Sequence, residues 1–203
     1  MKKFLKYIAV FFLCLTLVGC SSSQSEEKEQ KKTNYLKGNY QVEIVIKDYG
    51  TIKAEIDGDT APITVTNFVN LCKKKFYNGL TFHRIIDGFM IQGGDPNGDG
   101  TGGSDETIKG EFSNNDVENP LSHKRGALSM ARSQDNDSAS SQFFIVQSDS
   151  TYLDGDYAVF GYVYEGMEIV DQICKDTPVE DNNGTVKKEN QPIIESMSCT
   201  KMN

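Results

Sequence analysis

Hydrophobic and polar residues alternate from position 38 onward. Val42, Ile44 and Ile46 fall on one side of an extended strand, and Ile52, Ala54 and Ile56 repeat the pattern after Asp48-Tyr49-Gly50. A period of two with a short turn between predicts an antiparallel hairpin. The period then lengthens: Val65, Phe68, Val69 and Cys72 stand at i, i+3, i+4 and i+7 behind Pro62. Proline suits a first helical turn, so this predicts a helix with one buried face that ends before Gly79. Short strand-like runs follow at 80–86, 89–92, 126–131, 142–146 and 158–163, separated by glycine-rich or polar loops. A second helix fits 165–174, with Met167, Val170 and Cys174 on one side, and 192–199 reads as a closing strand. Many strands joined by turns rather than by crossover helices predict a mainly β fold: a closed eight-stranded antiparallel β-barrel with two α-helices beside it.

The N-terminus follows a different rule. Lys2, Lys3 and Lys6 precede an apolar run over 7–18, short for a membrane span but suited to the apolar region of a signal peptide. The run closes on Leu17-Val18-Gly19-Cys20, which resembles the lipobox of bacterial lipoproteins. That resemblance implies a leader over 1–19, an acylated Cys20, and an extracytoplasmic chain attached to the bacterial cell membrane. Residues 21–36 are Ser, Glu, Gln and Lys with almost nothing apolar, so 20–37 is expected to be a lipidated, flexible tether. The folded domain is expected over 38–203.

Charge narrows the partners. Of 203 residues, 21 are Lys or Arg and 29 are Asp or Glu; without 1–19 the balance is 18 to 29, a formal −11. Sequence-independent nucleic-acid binding needs phosphate-neutralising cations and is not expected. Anionic lipid would not hold such a surface, so attachment rests on the acyl chains of Cys20. Cys72, Cys174 and Cys199 are odd in number and lack metal-binding spacing, so core packing is expected of them.

The chemistry lies in a series of motifs. Phe82-His83-Arg84-Ile85-Ile86-Asp87-Gly88-Phe89-Met90-Ile91-Gln92-Gly93-Gly94-Asp95 resembles the signature of the cyclophilins, peptidyl-prolyl cis/trans isomerases. Gly100-Thr101-Gly102-Gly103, Gly126-Ala127-Leu128-Ser129-Met130-Ala131, Ser141-Gln142-Phe143-Phe144-Ile145, Leu153-Asp154-Gly155 and Val159-Phe160-Gly161 follow in the family's order. The resemblance runs from about Tyr40 to Cys199. It implies that Arg84 is catalytic, and that Phe89, Met90, Phe144 and Leu153 line a proline pocket. Gln92, Ala131, Arg132 and Gln142 would grip the peptide, with Tyr152 and Tyr157 in the later pocket segment. No metal or organic cofactor is implied. The partners would be proline-containing segments of exported proteins, bound by a monomer.

Two departures qualify that pattern. Tyr152 and Tyr157 stand where many eukaryotic members carry Trp and His, and the missing indole N–H leaves a ligand acceptor unpaired, so weak cyclosporin binding is expected. Arg132 replaces a frequent Asn, which leaves a backbone contact with substrate but no evident side-chain role. Asp95 to Glu106 also matches the twelve-residue calcium-loop pattern, but Gly102 occupies its apolar place and no amphipathic helix flanks it. The only histidines, His83 and His123, accompany no hydrolase motif. The competing function is a chaperone or adhesin module that holds proline segments with incidental turnover. Arg84 discriminates, because a pure binder has no use for transition-state stabilisation.

Overall fold

Alternation becomes a hydrogen-bonded ladder near the start of the described chain, residues 34–203 of the computed structural model. The expected leader, Cys20 and most of the expected tether lie outside the described residues. Strand β1 (Asn39–Ile46) pairs antiparallel with β2 (Gly50–Asp57), placing Val42 opposite Ala54 and Ile44 opposite Ile52, all buried. Asp48 at φ 67° and Gly50 at φ 126° turn the chain between them. Leu36, within the expected tether, donates its N–H to Thr66 Oγ1 at 2.7 Å and packs against the core.

Helix α1 (Pro62–Lys73) begins with proline and buries Val65, Phe68, Val69 and Cys72, the four positions its period marks. Ala61 offers no side-chain cap. The buried carboxylate of Glu111 supplies one instead, accepting N–H bonds from Ile63 (2.9 Å) and Thr64 (2.7 Å) at the positive end of the helix dipole.

The remaining strands are β3 (Thr81–Ile86), β4 (Met90–Asp95), β5 (Ala127–Met130), β6 (Phe143–Val146), β7 (Val159–Glu165) and β8 (Ile194–Lys201). Helix α2 (Met167–Asp176) starts two residues later than its sequence pattern begins, because Gly166 takes a left-handed conformation at φ 96°. There Thr51 O and the Ile52 backbone crowd it too closely for a side chain.

The eight strands form one antiparallel sheet in the order β3-β4-β6-β5-β7-β2-β1-β8. This corrects the closed barrel expected from the sequence: the sheet is curled but open, with β3 and β8 as its edges. Only a few bonds span the seam, including Phe82 N–H to Pro192 O (3.0 Å) and Ile194 N–H to Leu80 O (2.8 Å). Pro192 has no N–H to return, so a continuous ladder cannot form there.

Several strands are buried on both faces. Phe143 and Ile145 of β6 join the main core, while Phe144 and Val146 join a second cluster with Met90, Ala127 and Val159. In the main core, the Phe68 ring lies 5.0 Å from Tyr77, 5.1 Å from Phe160 and 5.5 Å from Phe143, centroid to centroid. Phe68→Ala is expected to leave a void among these rings and cost about 3–5 kcal/mol. That should appear in thermal unfolding as a fall in Tm of roughly 6–20 °C, and an unchanged Tm would contradict this account of the core.

Candidate active site

The outer face of the sheet carries a row of residues across four strands. Arg84 of β3 pairs with Gln92 of β4, Gln92 with Phe144 of β6, and Phe144 with Ser129 of β5. Directly opposed residues share a face, so strand register alone brings distant parts of the chain together. A pocket of ≈ 210 Å³ opens over this row, lined by Arg84, Phe89, Met90, Gln92, Ala131, Arg132, Phe144, Leu153 and Tyr157. All nine are among the residues singled out from the sequence. Gln142 lines an adjoining polar pocket of ≈ 320 Å³ that shares Gln92, Ala131 and Arg132 and runs along Gly100–Ser104. Tyr152 lines neither: it is 71% exposed, with its ring centroid 6.1 Å from that of Phe89 at the rim.

Arg84 sits at one end, held from two sides. Its Nε donates to Asn183 O (2.8 Å) and Nη2 to Asn183 Oδ1 (3.2 Å), while Nη1 donates to Gln92 Oε1 (3.2 Å). The Gln92 amide then donates to Gln142 Oε1 (2.9 Å), and the Gln142 amide to Gly102 O (2.7 Å) and Gly100 O (3.1 Å). Burial lowers the Arg84 pKa from its ordinary value, opposed by Tyr157 and Asp181. A guanidinium in a protein stays protonated nonetheless. The site therefore combines a fixed cation with an apolar pocket, an arrangement suited to placing positive charge beside a bound, uncharged ring.

The Arg132 side chain braces its surroundings. Its guanidinium carbon lies 4.8 Å from the Tyr157 ring centroid and 5.1 Å from that of Phe112. Its donors reach Asp156 O, Ser133 O and Gln134 O. It thereby props one pocket wall and ties down the loop after β5, and its head group is occupied by these carbonyls.

Sequence reasoning missed Asn183. It belongs to the polar turn Asp181-Asn182-Asn183-Gly184, shaped by Gly184 at φ 80° and by the Asp181 carboxylate, which accepts the Thr185 N–H. Nothing local links this turn to a strand 99 positions earlier; the link comes from Ile85 N–H to Gly184 O (2.8 Å) and Val186 N–H to His83 O (3.0 Å). Also missed was a chain behind the pocket. His123 Nδ1 lies 2.7 Å from Asp154 Oδ1 and its Nε2 3.0 Å from Ser129 Oγ. Although these are the residue types of a hydrolase triad, Ser129 is fully buried and meets no substrate. The calcium-like loop serves its own backbone: the buried Asp95 carboxylate accepts N–H bonds from Asn97 (2.8 Å), Asp99 (3.1 Å) and Gly100 (2.6 Å).

Comparison with known proteins gives one answer. The family model for cyclophilin type peptidyl-prolyl cis-trans isomerase/CLD matches residues 41–198. The chain is 42% identical over 162 residues to a peptidyl-prolyl cis-trans isomerase of Helicobacter pylori, covering 76% of this chain and 89% of the relative. It is 43% identical over 145 residues to peptidyl-prolyl cis-trans isomerase B of Bacillus subtilis, covering 71% and 92%. Its fold is similar to the crystal structure of a Cryptosporidium parvum cyclophilin-type isomerase in the presence of the dipeptide Ala-Pro. The TM-score there is 0.69 and the identity 32%, covering 80% of this chain and 99% of that one.

Both histidines near the site titrate below their ordinary 6.5, His83 and His123 alike because burial disfavours the charged ring, with Asp95 and Asp154 respectively opposing. The unfolded chain takes up their protons as pH falls through about 6.5, whereas the folded chain resists, so stability is lost in that direction. Tm is expected to drop between about pH 7 and pH 5, above the range in which carboxylates titrate. A level or rising Tm over that interval would refute the assignment of two buried, neutral imidazoles.

Proposed function

The chain belongs to the cyclophilin-type peptidyl-prolyl cis-trans isomerases and is itself a peptidyl-prolyl cis-trans isomerase, and we propose that it acts on exported proteins outside a bacterial membrane, held there by lipid on Cys20. The location is supported by the Lys2/Lys3/Lys6 start, the apolar run and the Leu17-Val18-Gly19-Cys20 junction, followed by a polar tether. Its net negative charge leaves the lipid, rather than surface attraction, as the anchor.

In the proposed mechanism, no covalent bond breaks. Turning an Xaa-Pro bond removes amide resonance, against a barrier of roughly 18–20 kcal/mol, and takes tens to hundreds of seconds unaided. Reaching milliseconds requires roughly a 10⁵-fold gain, or about 7 kcal/mol. Burying the prolyl ring against Phe89, Met90, Phe144 and Leu153 favours ground and twisted states alike and does not supply this difference. Arg84 does: as the bond twists, the prolyl nitrogen regains its lone pair, and a nearby cation stabilises that state selectively. Gln92, Gln142 and the backbone at Ala131 and Arg132 hold the flanking peptide, so that one side turns while the other stays fixed. The observation that carries this reading is the Arg84 guanidinium, braced by Asn183 and Gln92 at the edge of the apolar pocket. The Ala-Pro dipeptide named with the Cryptosporidium parvum structure is consistent with a proline-containing substrate here. Cyclosporin binding is proposed to be weak, with Tyr152 and Tyr157 in the later pocket segment.

Arg84→Ala in the full chain is expected to fold and to lose roughly 100-fold or more in kcat/KM on an Ala-Pro peptide, the scale of removing one electrostatic donor to a transition state. Retained turnover in a folded variant would refute Arg84 as the source of the rate gain, whereas a folded wild type inactive on several Xaa-Pro peptides would favour the binding-module reading. Intact mass of protein extracted from membranes is expected to begin at an acylated Cys20, and a chain lacking the acyl mass would refute the anchor.

A further inference from the structure

We propose that His123, fixed by Asp154 and Ser129, is a positioning residue for the isomerase, setting the Phe144 and Tyr157 rings against which the prolyl ring packs. The His123 ring stacks on Phe144 at 5.9 Å and 13°, and meets Tyr157 edge-on at 6.3 Å and 84°. Phe144 and Tyr157 meet each other edge-on at 6.0 Å and 84°. The three rings form one packed unit: two line the pocket and the third, fully buried, lies outside its lining.

The imidazole has one orientation available. Asp154 accepts from Ser122 Oγ and from the His123 backbone N–H (2.7 Å) as well as facing Nδ1. These donors, against the cost of burial, hold its carboxyl below the usual range, so it is an ionised acceptor and Nδ1 carries the proton. Nε2 then accepts from the Ser129 hydroxyl, which has no other partner among the described residues and is fully buried. Among the described residues, Asp154 is the charged group that faces the ring directly. Ser129 faces it from β5, Phe144 from β6, and the Tyr157 phenol from the segment before β7; Arg132 lies beyond Tyr157, and the Tyr162 hydroxyl bonds the Ser122 backbone.

A second proton on the ring would make Nε2 a donor. The Ser129 hydroxyl would then have to accept from Nε2, its own hydrogen would lose the one acceptor it has among the described residues, and the ring stacked on Phe144 would have to shift. His123 thus holds the pocket wall in its neutral form and releases it in acid. Loss of the wall weakens substrate in ground and transition states together, so the effect belongs in KM, whereas Arg84 acts on kcat.

The test measures kcat, KM and their pH dependence on an Ala-Pro peptide with the full chain. His123→Gln keeps polar atoms without the ring, and Asp154→Asn removes the orienting charge at a partly exposed position. Both are expected to raise KM about tenfold and to change kcat far less. In the wild type, kcat/KM should fall on an acid limb that lies below the ordinary 6.5 of an imidazole, because burial lowers the His123 pKa. That acid limb should persist in His83→Gln and vanish in His123→Gln. A folded His123→Gln with wild-type KM, or one that keeps the acid limb, would overturn the proposal. If His123→Gln does not fold, wild-type KM in Asp154→Asn does the same. The inference rests on the pocket reading above: turnover that survives Arg84→Ala overturns both, whereas Arg84-dependent turnover indifferent to position 123 overturns this one alone.

Discussion

Adjacent residues of an extended strand point to opposite faces, and in β4, β5 and β6 both faces are buried. Placing Phe143 and Ile145 in the main core therefore places Phe144 and Val146 on the other side, where the pocket forms. The same holds in β4 for Ile91 and Met90. The site is consequently not an addition to the fold. It is the outer aspect of the strands whose inner aspect packs against the central aromatic cluster, and it inherits their rigidity.

A second constraint orders the polar half of the site. A guanidinium can only donate, so its acceptor on Gln92 must be the amide oxygen. That choice leaves the Gln92 nitrogen to donate onward to Gln142, whose nitrogen ends on the carbonyls of Gly100 and Gly102. Each amide has one orientation consistent with its neighbours. The cation is thus continuous, through side chains with no rotational choice, with the glycine loop of the adjoining pocket. Arg132 plays a complementary part: stacked between Phe112 and Tyr157, it stiffens the opposite wall.

Most of this was legible in the sequence where the signal was local. The hairpin and the buried stripe of α1 come from periodicity, and the expected lining of the pocket from the resemblance of successive motifs to the cyclophilins, which strand register then brings together. What escaped depends on contacts between distant segments. Asn183 meets Arg84 only because the chain returns past β3, and the cap of α1 comes from Glu111 rather than from the adjoining residue. Tyr152 and Leu153 sit in a 3₁₀ turn over Thr151–Leu153, where neither period applies, so Leu153 points into the pocket and Tyr152 into solvent. The open seam was a missed inference, since a proline at the start of the last strand already argues against an unbroken ladder.

Glu111 also bears on the order in which the chain can fold. A helix that caps itself can begin to form once its own residues are free to fold. The first turn of α1 instead waits for a carboxylate 48 residues beyond Ile63. Until that later segment has closed back, the helix start keeps two N–H groups open and lacks its counter-charge. The return of that later segment thus sets a lower bound on when α1, and the core that Phe68 anchors, can be completed.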